Sequence, residues 1–371
     1  SVVGVAWTLP LVLFLLLGGV LTDRYDRRLL MVAADVVRAL AIGALAALSI
    51  AGVIELWHVL ALIAFVGLGD AFFNPAATAI VPDLLPDAKL PQANALQGLL
   101  RPLMVRLVGP AVGGFVVAVL GPGPAFAVDG ASFLVSALAI GAIAARPVAP
   151  ATQHGVRQAL DEMLEGLAFV RRTPWLWATL VAAGFSLLVF VGPVQVLLPF
   201  LVKNRLELGA ESLGAIFAVS GVGSILAALL MGQLGLPRRH VTVMYAAWAV
   251  GVALFAGYGL MTSLWQGFVV GFGTAALFQV GQIVWVTLLQ TQVPRELLGR
   301  VSSLDWLGST GLVPLSYALT GPVAAVLGPQ TTMIAAGLVG AAFMGVLLFV
   351  PGVRDPERVP PPRDAGLAET S

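Results

Sequence analysis

The chain contains no cysteine. Disulfide cross-links and thiolate metal sites are therefore excluded, although the compartment is not identified by this alone. Charge is nearly as scarce: Asp, Glu, Lys and Arg make up 11% of the 371 residues, against roughly 25% in soluble globular domains. Lysine is reduced to Lys89 and Lys203, and no GxxxxGK(S/T) loop occurs, so a nucleotide site of that kind is absent. The three histidines (His58, His154 and His240) fall at the ends of apolar runs or in a loop, and neither HExxH nor GxSxG is present. Both commonest hydrolase signatures are thus missing, and the chain reads as a non-enzyme without metal or cofactor. No basic face or nucleic-acid-binding module appears. Ser1 lies already inside an apolar run, with no basic n-region or cleavage site, which reads as a clipped start rather than a signal peptide.

What is present is hydrophobicity: 59% of residues are apolar and mean hydropathy is +0.96. A helix crossing a bilayer needs about 20 mostly apolar residues. Eleven stretches qualify, at 2–21, 29–51, 56–80, 96–120, 124–145, 174–201, 210–235, 240–260, 263–290, 303–327 and 330–350. The alternating segments of about ten residues expected of a membrane barrel are missing, so the class is an all-α membrane bundle. Lys and Arg set its orientation. Fifteen fall on one side of the bundle, only Lys203 and Arg205 on the other, and Arg38, Arg101 and Arg106 within or at the edge of spans. The basic side is expected in the cytoplasm of a cell inner membrane, with the C-terminal tail there and Ser1 outside.

The two halves of the chain echo each other. Val81-Pro82-Asp83-Leu84-Leu85 matches Val293-Pro294-Arg295-Glu296-Leu297-Leu298 loosely, and Ala118-Val119-Leu120-Gly121-Pro122 matches Ala325-Val326-Leu327-Gly328-Pro329. The basic turn at 23–28 corresponds to Leu236-Pro237-Arg238-Arg239. Parallel repeats of this kind are a transporter architecture. The division is 1–145 for the first half, 146–173 for a linker and 174–350 for the second half, with a disordered cytoplasmic tail at 351–371. The second half has one span more than the first, so a twelfth helix is expected ahead of Ser1 in the native protein. Within the linker, Val156, Leu160, Met163, Leu164, Leu167 and Val170 form one stripe at helical spacing, which reads as an amphipathic helix along the cytoplasmic surface of the membrane.

With the repeat and the helix count in place, the charged hairpin Gly18-Gly19-Val20-Leu21-Thr22-Asp23-Arg24-Tyr25-Asp26-Arg27-Arg28 becomes informative. Gly19-x-x-x-Asp23-Arg24-x-x-Arg27-Arg28 resembles the signature loop of the major facilitator superfamily between its second and third helices. Gly109-Pro110-x-x-Gly113-Gly114 resembles the antiporter motif of the fifth helix. Together with Phe72-Phe73-Asn74-Pro75-Ala76, Ala125-Phe126-Ala127-Val128-Asp129 and Gly299-Arg300-Val301, the chain is similar to the drug:proton antiporter branch with macrolide-efflux and enterobactin-exporter-like proteins. Asp26 stands where the superfamily usually has a glycine. The resemblance implies the major facilitator fold, two six-helix repeats with the first helix missing here. It implies a monomeric secondary transporter in the lipid bilayer whose partners are protons and a small hydrophobic or amphipathic cargo. Export by proton antiport is the leading expectation; an importer of a small metabolite, or a non-transporting receptor or scaffold on the same fold, is the alternative.

The residues carry physical consequences of their own. Asp23 sits at a helix C-terminus, unfavourable for an anion given the macrodipole, so it needs a cation or the N-terminus of another helix. The resemblance places that partner near Arg300, making Gly19, Asp23, Arg24, Arg27, Arg28 and Arg300 a candidate latch between halves. Ionisable groups inside spans cost about 2.5–3.5 kcal/mol at mid-helix on insertion scales and are functional candidates. They are Asp35, Arg38, Asp70, Arg106, Asp129 and Asp305. Asp35 and Arg38 lie on one helix face and can pair, and Asp70 can pair with Arg24, Arg38 or Arg106. Asp70 and then Asp129 are the leading proton-coupling candidates, and Asp305 is open to a part in the latch. Gly109, Pro110, Gly113 and Gly114 predict a closely packed, bendable helix, with prevention of leak implied by the resemblance. Phe72, Phe73 and Asn74 in one half, and Gln195, Gln279, Gln282 and Trp285 in the other, are candidates for the wall of a cargo cavity.

Overall fold

A computed structural model describes residues 2–143 and 156–358. They form helices and turns with no strand among the described residues. The first half consists of α1 (Val2–Arg24), α2 (Arg27–Ile50), α3 (Leu56–Leu84), α4 (Leu90–Pro102), α5 (Gly109–Leu120) and α6 (Pro122–Gly141), followed by the linker helix α7 (Val156–Arg172). The second half consists of α8 (Pro174–Gly192), α9 (Leu198–Asn204), α10 (Ala210–Leu234), α11 (His240–Phe255), α12 (Gly257–Leu260), α13 (Leu264–Gln292), α14 (Leu298–Gly311), α15 (Val313–Leu327) and α16 (Pro329–Leu348). Many large apolar side chains on the outer faces are bare: Leu138 is 75% and Val326 83% exposed. A surface of that kind is stable against lipid and not against water.

Ten helical stretches among the described residues are long and apolar enough to cross a membrane, one fewer than expected. The eleventh, predicted at 96–120, is helical, but a π-helical segment, Leu103–Val108, divides it into α4 and α5. Pro102 and Pro110 bracket that segment, and each removes a backbone donor from the ladder. A second π-helical segment, Pro193–Leu197, joins α8 to α9. The duplicated sequence produces duplicated geometry. Gly121 and Gly328 hold φ of +86° and +81°, a left-handed conformation that glycine adopts without strain. Each ends one helix and is followed by a proline at the first position of the next, where the missing N–H costs nothing.

Two connecting segments differ from expectation. The amphipathic helix α7 forms, but it does more than lie on a surface: Val170 is 5% exposed and joins the core of the second half. The tail was expected to be disordered from 351, yet residues 351–358 fold back onto the bundle. Val353 is fully buried there, and the Glu357 carboxylate accepts from Thr242 N at 2.5 Å and Thr242 Oγ1 at 3.1 Å. An acid there satisfies free N–H groups in the first turn of α11. The remainder of the tail, 359–371, lies outside the described residues, as do 144–155 of the linker.

Candidate functional site

The hydrogen bonds that join the two halves gather at the end carrying the charged hairpin, called the basic end here. α1 and α14 meet there through small residues. A Cβ on Gly19 would lie 2.7 Å from the Gly299 carbonyl oxygen, and one on Gly299 would lie 2.6 Å from Asp23 Oδ1. Glycine at both positions is what lets the helix end and helix start touch. The Asp23 carboxylate, its side chain 2% exposed, accepts from Gly299 N at 2.7 Å, Arg300 N at 3.1 Å and Arg300 Nε at 2.9 Å. The anion thus leaves the unfavourable C-terminus of α1 for the first turn of α14, gaining backbone donors, the helix dipole and a guanidinium together.

The other hairpin residues serve the same closure. Arg27 donates to Ala79 O at 2.7 Å, Asp83 Oδ2 at 2.8 Å and, across the halves, Arg295 O at 2.7 Å. Arg28 donates to Ile143 O at 2.7 Å, at the C-terminal end of α6. Asp26, where the superfamily usually has glycine, caps α2 by accepting from Arg28 N at 2.9 Å. Arg24 is half-buried at the end of α1. The linker joins in, with Glu165 Oε2 2.7 Å from Arg300 Nη1.

Sequence reasoning missed a second, uncharged contact beside the first. Asn94 Nδ2 donates to Thr287 Oγ1 at 2.9 Å and Gln290 Oε1 at 2.8 Å, and Gln290 Nε2 donates to Thr78 O at 3.1 Å. All three side chains belong to residues no more than 5% exposed. Asn94 falls just ahead of the predicted span at 96–120. Its only sequence signal is an amide beside an apolar run.

Within the first half, Arg38 ties two acids together. It pairs with Asp35 through a very short contact and donates to Asp70 Oδ1 at 2.8 Å. Trp7 Nε1 donates to Asp70 Oδ2 at 2.8 Å. The guanidinium carbon also lies 4.1 Å from the Phe73 ring centroid and 4.8 Å from that of Phe133, favourable cation–π distances. Asp35 is 1% exposed and its Oδ2 has no hydrogen-bond partner. Two carboxylates therefore share one guanidinium in an apolar bundle, an arrangement with one cation for two acids.

Other predicted residues lie apart from this cluster. Asp129 is exposed on α6, and among the described residues its carboxylate makes no hydrogen bond or ion pair; Ser132 Oγ bonds only its backbone carbonyl. Gly109 opens α5 directly after the π-helical segment, and Gly113 faces open space. The side chains of Arg106 and Pro110, and the surroundings of Gly114, lie outside the described residues. Phe72 packs with Leu11, Leu15, Trp306 and Leu307 where the halves meet. Asn74 is half-buried, with its carbonyl accepting from Thr78 Oγ1. Gln195 and Gln282 are exposed, while Gln279 lies against Gly98 of the opposite half. Trp285 is 2% exposed and packs edge-on against Trp175, with ring centroids 6.1 Å apart. It belongs to a core rather than to an open wall.

Comparison with known proteins agrees with this architecture. The chain is 28% identical over 370 residues to the multidrug efflux pump Tap of Mycolicibacterium fortuitum, covering 96% of this chain and 88% of Tap. It is 29% identical over 345 residues to the enterobactin exporter EntS of Shigella boydii serotype 18, covering 91% and 79%. The structure of the major facilitator superfamily proton:xylose symporter XylE superposes with a TM-score of 0.66 at 15% identity, covering 93% of this chain and 85% of that one. The fold is therefore that of the major facilitator superfamily, an all-helical membrane protein. The transmembrane secretion effector family matches residues 1–361, nearly the whole sequence, and the chain belongs to that family.

Proposed function

We propose that the protein is a secondary active exporter. It carries a small hydrophobic or amphipathic compound, drug- or siderophore-like, across the cytoplasmic membrane in exchange for protons, by alternating access. The export direction is supported by efflux relatives such as Tap and EntS. With the basic end in the cytoplasm, as the Lys and Arg distribution favours, the closed end faces inward. The observation that carries this reading is the Asp23 carboxylate seated on the first turn of α14. It is a contact between halves that must break for the cavity to open to the other side. The Asp35–Arg38–Asp70 group supplies the proton site of the same cycle, since its two acids outnumber its one cation. One charge crossing 100 mV releases about 2.3 kcal/mol, enough for more than a tenfold cargo gradient without ATP.

The test is proton-linked efflux in inverted membrane vesicles from cells carrying the full-length gene. A panel of lipophilic drugs and catechol siderophores is presented, and the Asp70→Asn variant is run beside wild type. Cargo-dependent collapse of an imposed pH gradient, lost in Asp70→Asn, is the expected result. Cargo movement that ignores the gradient, or full coupling in the variant, refutes the antiport mechanism.

A further inference from the structure

Asp305 lies in α14, five residues beyond Arg300 and so about 7.5 Å deeper along the helix. Its sequence position left it open to a role in the latch, but the structure separates it from that contact. Its Oδ1 accepts one hydrogen bond, from Trp285 Nε1 at 3.2 Å. Among the described residues no Lys, Arg or His forms an ion pair with it. One turn back on the same helix face is Ser302, 1% exposed, whose hydroxyl has no partner. Trp285 itself is packed against Trp175.

The elements around α14 are α1, α3, α7, α8, α13 and α15. Among the described residues, none of their ionisable groups pairs with Asp305. Asp23 of α1 is held by Arg300, and Arg24 stands at the far end of that helix's last turn. On α3, Asp70 is held by Arg38 and Asp83 by Arg27, and His58, in the first turn of the helix, accepts from Glu55 N at 3.0 Å. On α7, Glu165 is held by Arg300, Asp161, Arg171 and Arg172 are exposed, and the side chains of Arg157 and Glu162 lie outside the described residues. The sequences of α8 and α13 contain no Asp, Glu, Lys, Arg or His, and α15 offers only Tyr317. Arg101 of α4 stacks on the ring of Trp306, at 5.6 Å, rather than on the neighbouring acid.

We propose that Asp305 is a proton-binding carboxyl, a second acidic site located in the half opposite Asp35, Arg38 and Asp70. An ionised carboxylate with one hydrogen bond and no cation, inside a span and beside indole rings, is the costly form of this side chain. The neutral acid keeps the bond from Trp285 on one oxygen and needs no counter-charge. The two sites differ in kind. In the first half Arg38 lies against both acids and offsets one negative charge, whereas at Asp305 release of the proton exposes a whole uncompensated charge. That anion has to be met by a cation or by water, and it lies on the helix whose first turn holds Asp23. Proton release at Asp305 thereby bears on the closure of the basic end.

The proposal is tested on the purified full chain in lipid nanodiscs by infrared difference spectroscopy across a pH jump, reading the C=O stretch of protonated carboxyls. Wild type is expected to show a component that disappears in Asp305→Asn and persists in Asp35→Asn and Asp70→Asn. Trp285→Phe removes the hydrogen bond while leaving the acid, and is expected to shift that component rather than delete it. The Asn variant accepts the same bond from Trp285, so its unfolding temperature is expected to match wild type. An unaltered spectrum in Asp305→Asn overturns the proposal. So does a large fall in its unfolding temperature, since a neutral isostere harms only a site that needs the charge. None of this depends on the exporter reading. Where a cargo is in hand, the same variant adds a second measure: one proton fewer per cycle lowers pH-driven accumulation about tenfold per pH unit of gradient. Failure of wild type to transport refutes the exporter and leaves the infrared result standing.

Discussion

Replacing Asp23 by Asn tests the closure of the basic end with almost no change of shape. The carboxylate accepts three hydrogen bonds within 3.1 Å, two from backbone N–H groups and one from a guanidinium, at a site with a 2% exposed side chain. Asn keeps one acceptor oxygen and turns an NH₂ group toward donors. Hydrogen bonds to charged groups contribute about 1.5–3 kcal/mol each, and a helix terminus adds about 0.3–1 kcal/mol or more when partly buried. Part of this is retained by the surviving oxygen, leaving about 2–3 kcal/mol lost from the closed form alone. At 1.4 kcal/mol per factor of ten, the ratio of closed to open basic ends falls about 30- to 140-fold. The chain has no native cysteine, so labels introduced at exposed Tyr25 and Glu296 report on this end without background. Distance distributions between spin labels on Tyr25→Cys and Glu296→Cys, with and without Asp23→Asn, measure the ratio directly. A change of less than about threefold contradicts the energetic argument.

Further outcomes follow from neighbouring contacts. Gly299→Ala places a methyl carbon 2.6 Å from Asp23 Oδ1, so the same label pair is expected to widen as in Asp23→Asn while the charge stays in place; an unchanged distance refutes the close-packing account. Asn94→Ala removes two side-chain bonds to Thr287 and Gln290 and is expected to destabilise the closed end by about 1–2 kcal/mol. Combined with Asp23→Asn the effects should add, because the two contacts share no residues; strong non-additivity in the label distances would show that they act as one unit. Glu357→Ala strips the cap from α11 and is expected to lower stability by about 1 kcal/mol in denaturation assays, with transport unaffected. Loss of transport without loss of stability would instead assign the folded-back segment a part in the cycle.

The sequence made the outer plan legible and left its inner contacts dark. Apolar runs of membrane length report the spans, because lipid demands them regardless of tertiary packing. The Gly-Pro turns report two helix boundaries, because few residues hold a left-handed φ. Asp23 announced its need for a partner through local electrostatics alone. The break at Leu103–Val108 did not show, since prolines in membrane helices are too common to fix a π-helical segment. Trp7 and Asn94 gave no warning either. Whether an indole in one helix or an amide at the edge of another meets a partner depends on how helices cross, and that is written in pairs of residues far apart in the chain. Trp285 illustrates the reverse error: a large aromatic on the same helix face as two glutamines reads as cavity lining, while its neighbours in space make it core.

The meeting of Asp83 with Arg295 has a wider meaning. These two residues occupy matching places in the repeated sequence, and their charged atoms lie 4.0 Å apart, with Arg27 bonded to the Asp83 carboxylate and the Arg295 carbonyl. Two identical subunits related by a twofold axis bring matching positions face to face only on the axis itself, and there an aspartate would confront an aspartate, or an arginine an arginine. Such a pair repels. Joining the copies in one polypeptide frees each position to evolve separately, so the site can hold opposite charges and turn a repulsion at the axis into an attraction. Tandem fusion therefore does more than fix the ratio of the two halves. It breaks their symmetry at the point where symmetry is most restrictive.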